Sequence, residues 1–426
     1  MRARGAISCR WAATLVVAGM LVASVEGVAQ DPEKPKPQTR RVQTVGAWAF
    51  KRLSAAHEAL AQEKYDDALV ALEEMKDRSR LNEYEQALLW QTYGYIYASQ
   101  GKYAPAIEAF EACLSVGGLP EEVQRNTQYN LAQLYVVQER FDDAVRVFQE
   151  WFSKTENPSP EAHHVYAIAL YQKGDKGSAL AQGELAVQKA KKPVESWLQL
   201  VLSLYFENKE YQKAIGVLET LVSLFPKKIY WVQLSAAYAQ LDDHKQALAV
   251  LALARAQGML NEGRELTHLV QLYLYNDIPY EAGQVLEESL AAGKVEATSD
   301  TWRLLSEAWV NARERGKAQK PLEQAAAGSA TGDLYVRLAQ IQIDREEWGA
   351  ARQSLTRAIQ KGKLTDPGSA QLLLGVASAS DEQWEQALTA FQAAAQFEKN
   401  RRTAEAWLAQ IKAETARPQS APKAAR

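Results

Sequence analysis

Residues able to do chemistry are few in this chain. Histidine occurs five times, at His57, His163, His164, His244 and His268. His163 and His164 are neighbours, so on a helix they diverge by about 100° and cannot share a metal as an i, i+4 pair would. They read as one packed and one groove-facing histidine. Of the two cysteines, Cys9 lies near the start and Cys113 reads as a small buried apolar residue, not a nucleophile. The sequence holds no Gly-x-x-x-x-Gly-Lys-Ser/Thr phosphate loop, no Gly-x-Ser-x-Gly elbow and no His-Glu-x-x-His zinc pair. Gly174-Asp175-Lys176-Gly177 reads as a helix-hairpin turn. Asp66-Asp67 and Asp242-Asp243 stand where helices start, and carboxylates there cap backbone N–H groups and favour the dipole. The expectation is therefore no catalytic residue, no cofactor, no metal and no enzyme activity.

What remains is surface, and the elements that present it. The chain has 426 residues, 47% hydrophobic and 24% charged, with 49 Lys+Arg against 52 Asp+Glu. So even a balance offers no field for tracking nucleic acid. Glycine (23) and proline (14) are sparse, which favours helices. Aligned alanines recur at Ala68, Ala106, Ala144, Ala179, Ala214, Ala247, Ala282, Ala318, Ala351 and Ala387, with spacings of 38, 38, 35, 35, 33, 35, 36, 33 and 36 residues. That period fits a helix-hairpin solenoid and is too long for leucine-rich repeats. Within one unit, Trp90, Tyr93, Gly94 and Tyr97 fall at i, i+3, i+4 and i+7, one face of a helix. Gly101 then reads as a C-cap and Pro105 as a second-helix start. Pro120, Pro158, Pro193 and Pro226 fall between units, whereas Pro321 falls inside an expected second helix.

The ends differ from the repeats. Arg2, Arg4 and Arg10 precede an uncharged run, Trp11 to Ser24, and Gly27-Val28-Ala29 offers a small-residue cleavage site. That is the layout of a secretory signal peptide over residues 1–29. An uncleaved anchor is the alternative, but the run is short of a bilayer span. Cleavage would take the net charge from −3 to −5 and leave Cys113 as the lone cysteine, with no intramolecular disulfide open to it. Residues 30–43 are proline-rich and polar and read as a disordered tether. The repeats are expected over 44–416 and a polar disordered tail over 417–426. A last helix from about Arg401 to Ala416, with Trp407, Leu408 and Ile411 on one side, would cap the open end.

The residues around each alanine resemble the tetratricopeptide repeat. One unit runs Trp90-x-x-Tyr93-Gly94-x-x-Tyr97, Tyr103, Ala106, Phe110 and Pro120; the next has Leu131-Ala132-x-x-Tyr135, Phe141, Ala144, Phe148 and Pro158. The resemblance implies an all-α, right-handed α-solenoid of about ten helix hairpins with a C-terminal capping helix. It also implies that first helices line a groove. The groove positions then include Tyr95, Tyr129, Gln133, His164, Tyr171, Gln199, Phe206, Gln271, Tyr275, Arg303 and Asn311. Aromatic and amide side chains of this kind can stack on a partner's side chains and bond its backbone. Asn126 and Asn130 are present, but not the paired lysines with which some chaperone adaptors clamp a terminal carboxylate.

Longer stretches are more particular. Asn82-Glu-Tyr-Glu-Gln-Ala-Leu-Leu-Trp90 with Tyr93-Gly-Tyr-Ile-Tyr97, Tyr230-Trp-Val-Gln-Leu-Ser235 and Gly332-Asp-Leu-Tyr-Val-Arg-Leu-Ala-Gln340 are three of them. Together they resemble the periplasmic tetratricopeptide-repeat proteins associated with TonB–ExbB–ExbD systems of Gram-negative bacteria, over roughly Val45 to Arg402. This resemblance implies a periplasmic adaptor for protein partners, among them periplasmic segments of TonB, ExbB or ExbD, accessory to outer-membrane iron or haem uptake. It implies no nucleic-acid partner and no membrane span once the leader is removed. A scaffold for another envelope machine, such as outer-membrane assembly, polysaccharide export or cell-wall synthesis, is the alternative.

Overall fold

The alanine period reappears in the backbone as a succession of helix hairpins. The computed structural model describes residues 44–77 and 80–415; the expected leader, polar tether and tail lie outside the described residues. The described residues form twenty-one helices and no strand. They fall into two compact units divided between Glu210 and Tyr211. The N-terminal unit holds α1 (Ala47–Ala61), α2 (Tyr65–Lys76), α3 (Glu83–Ser99), α4 (Tyr103–Val116), α5 (Glu121–Val137), α6 (Phe141–Ser153), α7 (Pro160–Lys173), α8 (Lys176–Lys189) and α9 (Glu195–Glu207). The C-terminal unit holds α10 (Tyr211–Leu224), α11 (Lys228–Gln240), α12 (His244–Ala256), α13 (Gly263–Tyr275), α14 (Pro279–Ala291), α15 (Ser299–Asn311) and α16 (Arg315–Gly328). It continues with α17 (Asp333–Asp344), α18 (Trp348–Lys361), α19 (Pro367–Ser380), α20 (Trp384–Ala395) and α21 (Glu398–Thr415). Within each unit the helices pair as antiparallel hairpins, and each second helix packs on the first helix that follows it. Each unit is thus a stack of repeats that touch only neighbours, the logic of an α-solenoid.

The packing follows from side-chain size at the crossings. All ten aligned alanines are 0% exposed, so no larger side chain fits where the second helix meets its neighbours. Gly94 lets α3 approach α4 until a Cβ there would lie 2.5 Å from the ring of Phe110. Gly375 does the same for α19 and α20, at 2.6 Å from Phe391. The last helix closes the C-terminal stack as expected, starting at Glu398, three residues before Arg401. Trp407 lies flat on Phe391, with ring centroids 5.5 Å apart and planes 4° from parallel, and Ala404 and Ile411 join the same cluster. Pro321 does sit inside α16, which runs through it despite the lost backbone donor.

The hairpin turns are built alike, and in this the sequence reading fell short. Ten residues, each five before its repeat's alanine, have φ between +57° and +95°. Only Gly101 and Gly174 are glycines; the rest are Glu63, Glu139, Lys209, Asp242, Asp277, Arg313, Glu346 and Glu382. At each turn the next residue's N–H donates to a carbonyl five positions back, as Arg140 does to Tyr135 (2.8 Å) and Gln383 to Ser378 (2.8 Å). This is the long bond of a Schellman cap. A left-handed conformation costs an L-residue about 1–2 kcal/mol, and glycine's extra unfolded-state freedom returns only part of that. Glu139→Gly and Glu382→Gly are therefore each expected to stabilise the protein by about 0.5–1 kcal/mol, read as a higher urea midpoint. A lower midpoint for both would show that these side chains earn their place by contacts.

Candidate functional site

The expected groove residues of the N-terminal unit lie on α3, α5, α7 and α9, and specific contacts knit these first helices together. Asn130 Nδ2 on α5 donates to the Tyr95 hydroxyl on α3 (3.2 Å), and Gln91 Nε2 donates to Thr127 Oγ1 (2.7 Å). Between α7 and α9, Tyr171 donates to Glu207 (2.7 Å), and the His164 ring stacks on Trp197 at 5.0 Å and 22°. α5 also touches α7 directly. First helices stand side by side along the repeat, and the contacts that join them run between residues 33 to 36 positions apart.

This face is aromatic and half-buried. Tyr95 meets the edge of Phe110 (5.3 Å, 77°), and Tyr129 rests against Trp151 (5.1 Å) and Phe148 (6.1 Å). Burial pushes the Tyr129 phenol up to about 12, helped by the charge of Glu161 and opposed by a hydrogen bond from Gln133. Gln133 itself is only 9% exposed, so it stands at the floor of the face and not at its rim. Phe206 is half-buried, and Gln199, also half-buried, donates to Glu195 (3.4 Å) on its own helix. Other tyrosines are framework. Tyr135 donates to Glu111, Tyr205 to Glu184 and Tyr238 to Glu219 (2.9 Å), each tying a first helix to the preceding second helix.

The histidine pair divides into one packed and one half-buried ring. His163 is 4% exposed, with Nδ1 on Gln182 Oε1 (2.7 Å) and Nε2 on the Lys189 ammonium (3.2 Å). An ammonium can only donate, so Nε2 accepts and the ring is neutral, with its proton on Nδ1. His164 is pushed down to about 4 by burial, and its Nδ1 is enclosed with no hydrogen-bond partner. Cys113 is fully buried and its thiol is pushed up to about 12, which makes it a poor nucleophile. Asp243 caps α12 by accepting from Gln246 N (3.1 Å), while Asp66 and Asp67 occupy the first turn of α2. Among the described residues, no group of three His, Cys, Asp or Glu side chains could hold a metal ion.

In the C-terminal unit the expected residues are scattered. Gln271 and Asn311 are exposed, and Tyr275, 67% exposed, lies against the His244 ring (4.0 Å). Arg303 instead borders a cavity of about 220 Å³ between α15, α16 and α17. There Glu307 takes Arg303 (3.0 Å) and Arg337 (3.6 Å), and Asp344 takes Arg315 (3.5 Å). Arg315, Arg337 and Trp197 escaped the sequence reading. The spacing of Arg303 and Glu307 at i, i+4 was the one legible hint of this ion-pair cluster.

Comparison with known proteins agrees with this architecture. Tetratricopeptide repeats are matched over residues 129–193 and 336–421, and again over 87–116. A curated relative, the BBSome complex member BBS4 homolog of Drosophila melanogaster, is 23% identical over 326 residues. The match covers 72% of this chain and 64% of that relative, so the chain spans less than two thirds of its length. A tetratricopeptide repeat protein from Parabacteroides merdae ATCC 43184 superposes with a TM-score of 0.37 and 15% identity, covering 70% of this chain and 100% of that one. Naa15/Naa10 bound to HypK-THB gives 0.41 and 12%, covering 86% and 66%. The chain is an all-α solenoid, and the repeats matched within it are tetratricopeptide repeats.

Proposed function

We propose that this tetratricopeptide-repeat chain is an exported adaptor that holds protein partners against the first-helix face of its N-terminal unit. The observation that carries this is the linked row α3, α5, α7 and α9, which offers half-buried rings on one continuous face. Rigid aromatic side chains already held by their neighbours lose little freedom on binding, which is what an interaction surface needs. We further propose that the compartment is the periplasm and that the partners are periplasmic segments of a TonB–ExbB–ExbD complex energising outer-membrane nutrient uptake. Support for this comes from the leader-like residues 1–29 and from the resemblance carried by Asn82–Trp90, Tyr230–Ser235 and Gly332–Gln340. The BBS4 homolog is, by its description, a member of a multi-protein complex, the same kind of work.

Capture of partners by the purified protein from envelope extracts tests the reading. TonB-complex subunits are expected among the major adducts. Tyr95→Ala with Tyr129→Ala is expected to weaken capture by roughly tenfold or more, as loss of interface tyrosines does, while Phe at both positions keeps most of it. Full capture by a folded double-alanine variant would remove the aromatic face from the interaction. A deletion strain that energised every TonB-dependent receptor normally would sink the TonB assignment and leave the scaffold.

A further inference from the structure

The two units differ in how their first helices carry charge. From α3 to α9 the first helices of the N-terminal unit hold seven carboxylates against two cations, Arg125 and Lys173, a net charge of −5. In the C-terminal unit, α11, α13, α15, α17 and α19 hold five carboxylates against four cations, a net charge of −1. There the charges are largely spent on one another: Lys228 takes Glu265 (3.0 Å), and Arg303 and Arg337 share Glu307. In the N-terminal unit they are less so, Glu207 taking Lys176 of α8 (2.7 Å). Arg125 takes Glu121 (3.2 Å), and Lys173 turns away to Asp142 on α6 (3.0 Å). Glu83, Glu122 and Glu161, in the first turns of α3, α5 and α7, are exposed and have no ion pair among the described residues.

Helix starts favour carboxylates by themselves, so the acids alone would carry nothing. The rings beside them do. Glu161 lies near enough to Tyr129 to act on its phenol, and one turn further along α5 Gln133 is nine-tenths buried with an Oε1 that has no hydrogen-bond partner. Three residues beyond Glu161, His164 lies face to face with Trp197. Carboxylates, π faces and an unpaired carbonyl oxygen all attract the same chemistry: a donor-only cation with an apolar stem.

We propose that the α3–α9 face takes an extended partner segment whose lysine or arginine side chains meet Glu83, Glu122 and Glu161 and lie against Tyr129 and Trp197. Four first helices at about 10 Å spacing span about 30 Å, the reach of about ten extended residues. The proposal rests on the reading of this face as the binding surface and adds the chemistry of what binds there.

The probe is a fluorescein-labelled peptide of about twelve residues, four of them lysines in a Gly/Ser background, with a glutamate counterpart. Anisotropy with the whole protein is expected to show the lysine peptide binding at least tenfold more tightly. Glu83→Gln, Glu122→Gln and Glu161→Gln together are expected to remove that preference while the protein stays folded, with a slightly lower melting temperature from the lost helix-start charges. Asp66→Asn, Asp67→Asn and Glu108→Gln, an equal loss of charge on second helices, are expected to leave most of it. Equal affinity for the two peptides overturns the proposal, and so does an equal effect of the two triple variants, which would mean net charge alone. Lysine-peptide binding that appears only after residues 30–43 are deleted would give the face to the chain's own Lys34, Lys36, Arg40 and Arg41, and also overturns it. Partner capture that depends on Tyr95 and Tyr129 but ignores the glutamine variants would sink this inference while sparing the adaptor reading.

Discussion

Gly94→Ala is expected to destabilise the N-terminal unit by about 2–3 kcal/mol, although it adds one methyl group. The new Cβ would meet three ring carbons of Phe110 at 2.5–2.8 Å, and Phe110 is fully buried with nowhere to turn. Relief requires α3 and α4 to separate, which loosens the hairpin that carries Tyr95. The neighbouring hairpin holds Ala132 with Phe148 at the same positions, so its helices leave room for a methyl that α3 and α4 do not. In two other hairpins alanine at this position faces leucine sixteen residues on, Ala56 with Leu72 and Ala339 with Leu355. Gly94→Ala combined with Phe110→Leu should therefore be more stable than the sum of the single effects by about 1 kcal/mol or more. Urea unfolding of the three variants decides it. Strict additivity would show that the glycine is not there for the phenyl ring.

Acidification is the second large effect. His57, His163, His164 and His268 are all held below the usual histidine value by burial, His164 to about 4. The unfolded chain therefore binds more protons than the folded one once pH drops below about 6.5. Stability from these rings is complete above that value and is lost as pH falls toward the folded pKa. For His164 alone the loss is about 2 kcal/mol by about pH 5. His163 adds to it, because its protonation would set an imidazolium against the Lys189 ammonium. The carboxylates act in a separate, lower window: Asp366, held at about 2 by hydrogen bonds from Lys399 and Ser369, starts to lose its contribution as pH falls below about 4 and has lost most of it at about 2. The urea midpoint is expected to drop between about pH 7.5 and about pH 5, and His164→Gln to flatten the drop. An unchanged midpoint in the native protein would mean that these rings take up protons without opening the fold.

The candidate face was legible in part. Tyr95, Tyr129, His164 and Tyr171 followed from the resemblance to tetratricopeptide repeats and do stand on adjoining first helices. Gln133 followed from the same resemblance yet is nearly buried, which residue position alone does not reveal. Trp197 was missed because it sits early in α9, outside the usual groove positions, and only its stacking on His164 reveals it. In the C-terminal unit, register predicted Arg303 but could not show that Glu307 is shared with Arg337, thirty residues further on.

What the chain determines by itself is whatever is decided within one repeat. Small side chains at fixed intervals, apolar residues on one helix face and prolines between hairpins act through local sterics. They foretold ten alanines that prove fully buried and a closing helix near Arg401. What tertiary structure decided lies between repeats or in the backbone. Left-handed turns at Glu139 and Glu382 carry no residue signature, because a Schellman bond set by the hairpin overrides a glutamate's own preference. Likewise, the chain lists seven carboxylates on four first helices, but whether a cation lies near each is a matter of distance. Glu161 is left without one while Glu307 holds two, and only folding sets those distances.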